Sequence, residues 1–541
     1  MKRLLGYAIF TVYCIFILVL SIRGIPGNPA EKTLNDPRWG EEGPFELSPE
    51  RGRFALLVSL IENKSFHFSL PIARFAIPDL GYTQGNYVSL FAPGLSIISI
   101  PGYLIGKYYN NSQIGTYAVV SLFAVLNAIL IRALAQRAGS TSIASSLAAL
   151  VFLFATPAYA YAVSFYQHHL STFLILISIY LLITLKGVLP LYLLWILFGI
   201  ALITDYPNVI LMLPILLFAL KNLIYLVNDN GKTIVNVRIL GFISLITILI
   251  PLFFLFWFNQ NSYGNPMSLA GTVTAVKSID KSGRPELPKV AGGQKTAVGF
   301  FKSRNMFNGI NILLFSPDRG LFIYTPVVLF SLFGIWAAYK KNLYLYPLFT
   351  ALISINILLY SMWGDPWGGW AFGSRYLIPG FAIASIFIAI ALTRYHRNII
   401  FFLIFFITLS YSLAINTLGA LTSNRNPPLS EIKALEKLSG KAEKYTYERN
   451  LDLLLNGVSK SYLFQSYGSK FFSPVEYYRL IVFMLAAVCF FLIVADNLSI
   501  FKNYHMEKRG WQKLIIYKKQ PTKYQLSHLV NLFFIKIMKP I

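Results

Sequence analysis

The sequence predicts an all-α integral membrane protein of about 12 transmembrane helices, or about 13 if residues 89 to 106 also cross. Two observations carry this. Of the 541 residues, 56% are hydrophobic and only 13% charged, and the apolar residues gather into about a dozen runs near the roughly 20 residues that a helix needs to cross hydrocarbon. The runs are also continuous, whereas strands of a membrane barrel would alternate apolar and polar residues.

In chain order the spans fall near 5 to 22, 114 to 134, 143 to 163, 169 to 186, 189 to 205, 207 to 227, 238 to 258, 320 to 339, 343 to 361, 376 to 393, 398 to 419 and 478 to 498. Lys2 and Arg3 precede the first run as they would a signal peptide. Its core is long, however, and Arg23-Gly24-Ile25-Pro26 offers no small-residue cleavage site, so it reads as an anchor. Residues 89 to 106 are interrupted by Pro93, Gly94, Pro101, Gly102 and Gly106 and read as a juxtamembrane or re-entrant helix. With Lys2 and Arg3 cytoplasmic, that choice also makes Arg132, Arg137, Lys186, Lys221, Lys232, Arg238, Lys340, Lys341, Arg394 and Arg397 cytoplasmic, as the positive-inside rule expects. Cys14 and Cys489 both lie in apolar spans, which excludes a disulfide framework and a thiolate metal site.

The expected organisation is a transmembrane domain over 1 to 500, with long outer loops at 23 to 113, 259 to 319 and 420 to 476, and a basic tail at 501 to 541. The net charge of +25 is partly in that tail, where nine Lys or Arg face the single acid Glu507. Such a tail suits the cytoplasmic face of an anionic bilayer. A nucleic-acid partner is excluded for want of a fold to carry it. The loop 259 to 319 holds eight Lys or Arg against Asp280, Glu286 and Asp318; this is either solvated charge or a surface for anionic lipid or substrate.

The same topology collects the polar clusters on one side of the membrane: Glu46, Glu50, Arg51, Arg53, Asp79, His168, His169, Asp205, Asn265, Asp318, Arg319, Asp365 and Arg375. A transporter would carry ionisable groups or broken helices near the midplane, and the span centres are nearly uncharged. No phosphate-binding loop or dinucleotide fingerprint occurs in a strand-to-helix context. A one-sided site at the membrane surface is the better description.

Pro49-Glu50-Arg51-Gly52-Arg53-Phe54, followed by Ser59-Leu60-Ile61-Glu62, resembles the first outer loop of the GT-C membrane glycosyltransferases. That superfamily includes the protein O-mannosyltransferases and lipid A aminoarabinose transferases, and its loop carries an Asp-Glu-x-Arg-Tyr type signature. Further stretches resemble bacterial and archaeal members: Phe91-Ala92-Pro93-Gly94-Leu95, Phe165-Tyr166-Gln167-His168-His169-Leu170, Asp205-Tyr206-Pro207, Tyr263-Gly264-Asn265-Pro266, Phe315-Ser316-Pro317-Asp318-Arg319-Gly320, and the run from Trp367 to Tyr376. Together they span residues 45 to 380. The resemblance implies a GT-C fold and the transfer of a hexose or pentose from a polyprenyl-phosphate donor to a protein, lipid or glycan acceptor on the non-cytoplasmic face.

Such transfer needs a base for the acceptor hydroxyl and cations for the leaving phosphate. By alignment on Arg53-Phe54, Glu50 takes the position of the family's catalytic Asp; here Glu replaces Asp, and Arg51 stands where a second acid is usual. Glu46 and Asp79 are fallback bases. The residues alone also allow Glu50 to belong to an ordinary helix start, with Ser48 as N-cap and Pro49 at the first helical position. Arg53 and Arg375 are the phosphate candidates because a guanidinium fork matches phosphate oxygens; interfacial anchoring is the alternative for each. Arg375 follows a loop rich in Trp and Gly at 363 to 373, in which Trp370 offers an aromatic face to a sugar ring.

His168 and His169 are neighbours and cannot point the same way on a helix, so a two-histidine metal site is excluded; His168 is taken to orient donor or acceptor. Asp205 is open to three roles: capping the next helix, pairing with an arginine, or binding a divalent cation. No metal ligand set has convincing spacing. Asp318-Arg319-Gly320 reads as a local ion pair and turn, the loop 259 to 319 as a cover over the substrate cavity, and Ser430 to Leu438 as an amphipathic helix.

The sequence is expected to encode a multi-pass enzyme of the plasma (inner) membrane with both termini cytoplasmic. The rival classes are a lipid-linked glycan polymerase or ligase, and a non-enzymatic flippase or transporter. The topology predicts that single cysteines introduced as Val290→Cys and Ile515→Cys react with an impermeant thiol reagent from opposite sides of the membrane. Reaction from the same side would make the span count wrong.

Overall fold

The computed structural model describes residues 2–220, 223–229, 232–287 and 297–517; the tail beyond residue 517 lies outside the described residues. The first helix, α1 (Lys2–Ser21), leads into a long segment of small elements: α2 (Ser48–Glu62), α3 (Leu70–Ala76), the antiparallel pair β1 (Leu80–Thr83) and β2 (Asn86–Ser89), α4 (Gly94–Ile98) and α5 (Ile100–Tyr108). A run of helices follows: α6 (Ser112–Arg137), α7 (Ser142–Phe154), α8 (Ala158–Ala162), α9 (His168–Thr184), α10 (Leu189–Thr204), α11 (Asn208–Leu211) and α12 (Leu213–Ala219). The hairpin β3 (Ile224–Asp229) and β4 (Lys232–Val237) separates these from α13 (Ile239–Ile243) and α14 (Leu249–Tyr263). Short strands β5 (Thr274–Ala275), β6 (Ser278–Ile279) and β7 (Pro285–Glu286) precede α15 (Met306–Leu314), α16 (Leu321–Tyr324), α17 (Ser331–Lys340), α18 (Tyr346–Ser361), α19 (Ile378–Arg394) and α20 (Ile399–Leu421). The chain continues through α21 (Ile432–Ser439), α22 (Tyr447–Leu455) and α23 (Tyr462–Ser466) to α24 (Pro474–Tyr517).

Six of the described helical segments are long and apolar enough to cross a membrane: Leu4–Ser21, Ser112–Arg137, Ile239–Tyr263, Arg375–Arg394, Ile399–Leu421 and Pro474–Ala495. The other expected spans meet shorter apolar helices of 10–17 residues. Three of them are broken where a proline, lacking an N–H for the preceding turn, restarts the helix. The expected span 143 to 163 stops at Phe154 and resumes after Pro157 as α8; 320 to 339 divides at Pro326; and 207 to 227 divides around Met212 before Pro214. The end of 207 to 227 is a correction of kind, since residues 224–227 belong to strand β3. Residues 89 to 106, read as non-spanning, form the end of β2 and two short helices meeting at Ser99.

Helix α19 sits at the centre, with Ile378–Leu392 buried without interruption and α6, α7, α9 and α17 packed around it. An unbroken apolar helix can only be satisfied on all sides this way. α5 is held against α6 by bare backbone. Gly102 and Gly106, one turn apart, face Gly115, and a Cβ on any of the three would collide with the partner's backbone.

The segments between helices gather at two ends. At one, Arg23 bridges Ser461, β1 pairs β5, Phe301 bridges Trp363, and the Ala371 amide donates to Asn426 O at 3.0 Å. At the other, Arg132 donates to Gly6 O at 2.8 Å, Tyr7 to Gln136 at 3.2 Å, and the Thr141 amide to Thr393 Oγ1 at 3.1 Å. The long loops read as sharing one side thus touch one another. Gly106→Leu should separate α5 from α6 and lower the thermal midpoint in detergent, an overpacking cost of roughly 1–3 kcal/mol or more; an unchanged midpoint would remove the close-packing account.

Candidate active site

The site begins where α1 ends. Arg23 is fully buried, and its guanidinium reaches four acceptors: Ala420 O from Nε at 2.9 Å, Gly419 O, Asn424 Oδ1 at 3.1 Å, and Glu46 Oε2 at 3.0 Å. Glu46 in turn accepts from Lys460 Nζ and from the Asn424 amide at 2.8 Å. Burial alone would raise the Glu46 carboxyl, but the Lys460 ammonium and Arg23 outweigh it and hold the group below the ordinary carboxylate range. Glu46, a fallback base, is therefore an ionised tie between the first and last long loops.

Glu50 lies in the first turn of α2 and is also fully buried, with different partners. Its Oε2 accepts from the Leu47 amide and its Oε1 from the Phe165 amide, both at 3.3 Å. The first bond is the returning half of a capping box, so the helix-start reading of Glu50 describes a real contact. That reading misplaced the cap: Leu47 is the N-cap residue, and the Ser48 hydroxyl donates instead to Asp79 Oδ2 at 2.6 Å. Neither backbone donor carries charge. Burial, with the Glu46 carboxylate nearby and Arg23 opposing, pushes the Glu50 carboxyl up to about 7.

The next turn of α2 passes under Phe91. A Cβ at Gly52 would lie 2.7 Å from Phe91 Cε2, so glycine is what lets the helix approach that ring. Arg53 lays its guanidinium over the same ring, 4.2 Å from the centroid, and donates to Pro49 O at 2.8 Å. Burial lowers this guanidinium to about 10, with Asp205 the nearest opposing influence. Arg51 faces elsewhere, toward Ile77 O at 2.9 Å and the Glu41 carboxylate at 3.8 Å.

The opposite wall is the segment after α8. Tyr166 stacks on His168 with ring centroids 5.9 Å apart, Arg375 lies 5.2 Å from the Tyr166 centroid, and Gln167 donates to Asp205 Oδ2 at 3.1 Å. Arg375 also donates to Gly368 O at 2.6 Å. Four buried polar atoms here have no hydrogen-bond partner among the described residues: Tyr166 Oη, Gln167 Oε1, His168 Nε2 and Arg375 Nε. Tyr166 is within electrostatic reach of Glu50, Arg375 and Arg53 together. The structure thus brings Glu50, Arg53, His168, Asp205 and Arg375 into one neighbourhood. His169 points away into the helix core, between Asn127 at 3.4 Å and Ala158 O at 2.8 Å, and is not interfacial.

Trp370 serves the last loop. Its indole donates to Glu431 at 2.8 Å, and Arg425 and Arg449 lie over its ring at 5.2 and 5.9 Å. Asp318 and Arg319 are not a local ion pair. The Asp318 carboxylate accepts the Leu429 amide at 2.9 Å, while Arg319 donates to the carbonyls of Trp367, Asp318, Gly369 and Asn426 at 2.7–3.0 Å. A guanidinium offers five donors in a fixed fork, which suits it to pinning backbone from two loops. The expected amphipathic helix at Ser430 to Leu438 corresponds to α21, and the described part of loop 259 to 319 packs on the first loop through β5 and on Trp363 through Phe300 and Phe301.

An open cavity of about 380 Å³ is lined by Gly24, Arg38, Glu42, Pro44, Lys460 and Gln465 among others. The residues around Tyr166 are closed over instead. Among the described residues no group of three or more His, Cys, Asp or Glu is arranged to hold a metal ion. The sequence reading missed Arg23, Lys460 and Asn424. Each stands outside any motif, Arg23 resembling an interfacial anchor after a span and Lys460 an ordinary loop charge.

No family model matches the chain, and no curated protein matches it. Among solved structures, the chain is similar to ArnT from Cupriavidus metallidurans in the apo state, at 13% identity and TM-score 0.45, covering 92% of this chain and 78% of that one. It is similar also to the same protein bound to undecaprenyl phosphate, at 12% identity and TM-score 0.45, covering 91% and 77%. A likeness of this size carries nothing about chemistry, which rests on the residues themselves.

The Arg23 tie makes a stability prediction. Arg23→Met should leave Glu46 short of a partner in a fully buried place and cost about 3–5 kcal/mol, the usual result of breaking a buried ion pair from one side. Thermal unfolding in detergent would register it, and a loss comparable to a surface substitution would count against the tie.

Proposed function

We propose that the chain is a GT-C type glycosyltransferase that moves a monosaccharide from a polyprenyl-phosphate donor to an acceptor hydroxyl at the outer face of the membrane, with Glu50 as general base. One observation carries the reading: a buried carboxyl poised near neutrality shares a neighbourhood with two arginines and four unpartnered polar atoms. Buried polar atoms are ordinarily paired, and such a set gathered in one neighbourhood suits a polar ligand. Glu50 takes the proton of the acceptor hydroxyl as that oxygen bonds to the anomeric carbon. The bond from that carbon to the phosphate oxygen breaks, and Arg53 and Arg375 meet the charge left on the phosphate. Attack opposite the leaving group inverts the anomeric centre.

The order of the motifs along the first 380 residues supports this family over others. Against a transporter, amide nitrogens inside the helix bundle tie its helices together: Asn127 donates to His169 O, Asn356 to Tyr376 O and Asn416 to Tyr324 O. Asp79, bonded to Ser48 and only partly buried, is a weaker base candidate than Glu50.

Purified protein in proteoliposomes, offered a panel of polyprenyl-phosphate monosaccharides and of oligosaccharide carriers, should transfer a single sugar. Glu50→Gln should lower kcat by roughly 10²–10⁴ with donor binding kept, Glu50→Asp should keep partial activity, and Arg53→Ala should weaken donor binding. A base must be ionised to act, so kcat/KM should climb with pH through about 7 and level above it. Full activity in Glu50→Gln would overturn the assignment.

A further inference from the structure

Two carboxylates stand at the entrance to α2, and only one is tied to the far end of the chain. Glu46 receives Arg23 from the end of α1, and Lys460 and the Asn424 amide from the last long loop. Lys460 also donates to Gly43 O at 3.1 Å, so its ammonium grips the first loop at two points. Its side chain is 13% exposed and that of Glu46 1%, which leaves the pair little water to screen it. Glu50 is four residues further on, in the first turn of α2, and accepts from the uncharged amides of Leu47 and Phe165. The charged and titratable groups that face it are Glu46 and Arg23 from the clamp, Arg51 on its own helix, Tyr117 on α6, and Tyr166 from the segment after α8.

We propose that Lys460 is a positioning residue: by holding Glu46 from the last long loop, it sets the charge that Glu50 carries. With its ammonium in place, the Glu46 carboxylate is offset and Glu50 can ionise beside it. Without that ammonium, Glu46 keeps Arg23 and the Asn424 amide, its negative charge is felt more strongly, and Glu50 holds its proton. The functional meaning rests on Glu50 being the base of the proposed transfer; the electrostatic coupling does not.

The test reads the Glu50 proton directly. Infrared titration of the full-length protein in detergent, with the Glu50 band assigned by its loss in Glu50→Gln, should give a midpoint near neutrality. Lys460→Met should raise that midpoint by roughly one pH unit, because a cation compensating the neighbouring carboxylate is gone. Lys460→Arg should restore it. Glu46→Gln should move it the other way, to lower pH, and carries the test alone if Lys460→Met does not fold. A midpoint unmoved in Glu46→Gln, or in a folded Lys460→Met, overturns the coupling. Transfer activity in the wild type with unmoved midpoints would sink the coupling and leave the proposed function standing. Shifted midpoints in a protein that transfers no sugar would do the reverse.

Discussion

The constraint on which the rest of the structure depends is the buried charge of Arg23. A guanidinium with no exposure cannot be left to water, so every acceptor it needs must come from protein, and these come from two distant places: Glu46 in the first long loop, and the carbonyls and Asn424 at the end of α20. The cost of desolvating a cation is repaid only if geometry is good and all donors are met. Meeting them fixes where α1 ends, where α2 begins and where α20 ends relative to one another. Once α2 is placed, its Gly52 face meets Phe91, Arg53 is set over that ring, and Glu50 is carried to the Phe165 amide.

A second guanidinium does the same on the other side. Arg319 gathers carbonyls from the Trp-rich loop and from Asn426, and Asp318 takes the Leu429 amide, so the loop before Arg375 and the last long loop are pinned to one point. Arg375 is then presented to Tyr166 by a backbone that has no freedom to drift. Both devices use arginine against backbone oxygen, which supplies directional bonds; the first adds one buried carboxylate, Glu46.

Helix positions were legible because apolar length is a one-dimensional property; the hairpin at 224–237 and the breaks at Pro157 and Pro326 were less so, since an apolar run reads alike whether or not it is interrupted by a restart. In the site, Glu50, Arg53, His168, Asp205 and Arg375 could be named from motif order and are found together. Asp318 and Arg319 were seen and given the wrong partner, because adjacency suggested a local pair while the fork was spent on remote carbonyls. Lys460 and Asn424 could not be seen at all. Their role depends on which acid lies opposite them across more than 370 residues of chain, the Asn424 to Glu46 separation being 378, and nothing local encodes that.

Glu46 and Glu50 make the final point about how one short stretch yields two chemistries. Both are buried, both are glutamates, and they stand four residues apart, so neither residue type nor exposure distinguishes them. What differs is the charge of the donors. Cations hold Glu46 ionised, whereas amide dipoles, long at 3.3 Å, leave Glu50 to the combined weight of burial and its neighbour's negative charge. The ionised member is also part of what raises the other, so the pair is asymmetric by construction: the cations that keep Glu46 ionised also offset its charge and limit how far Glu50 is raised. Environments that push two carboxyls apart in this way are how a fold assigns one to structure and reserves the other for proton transfer.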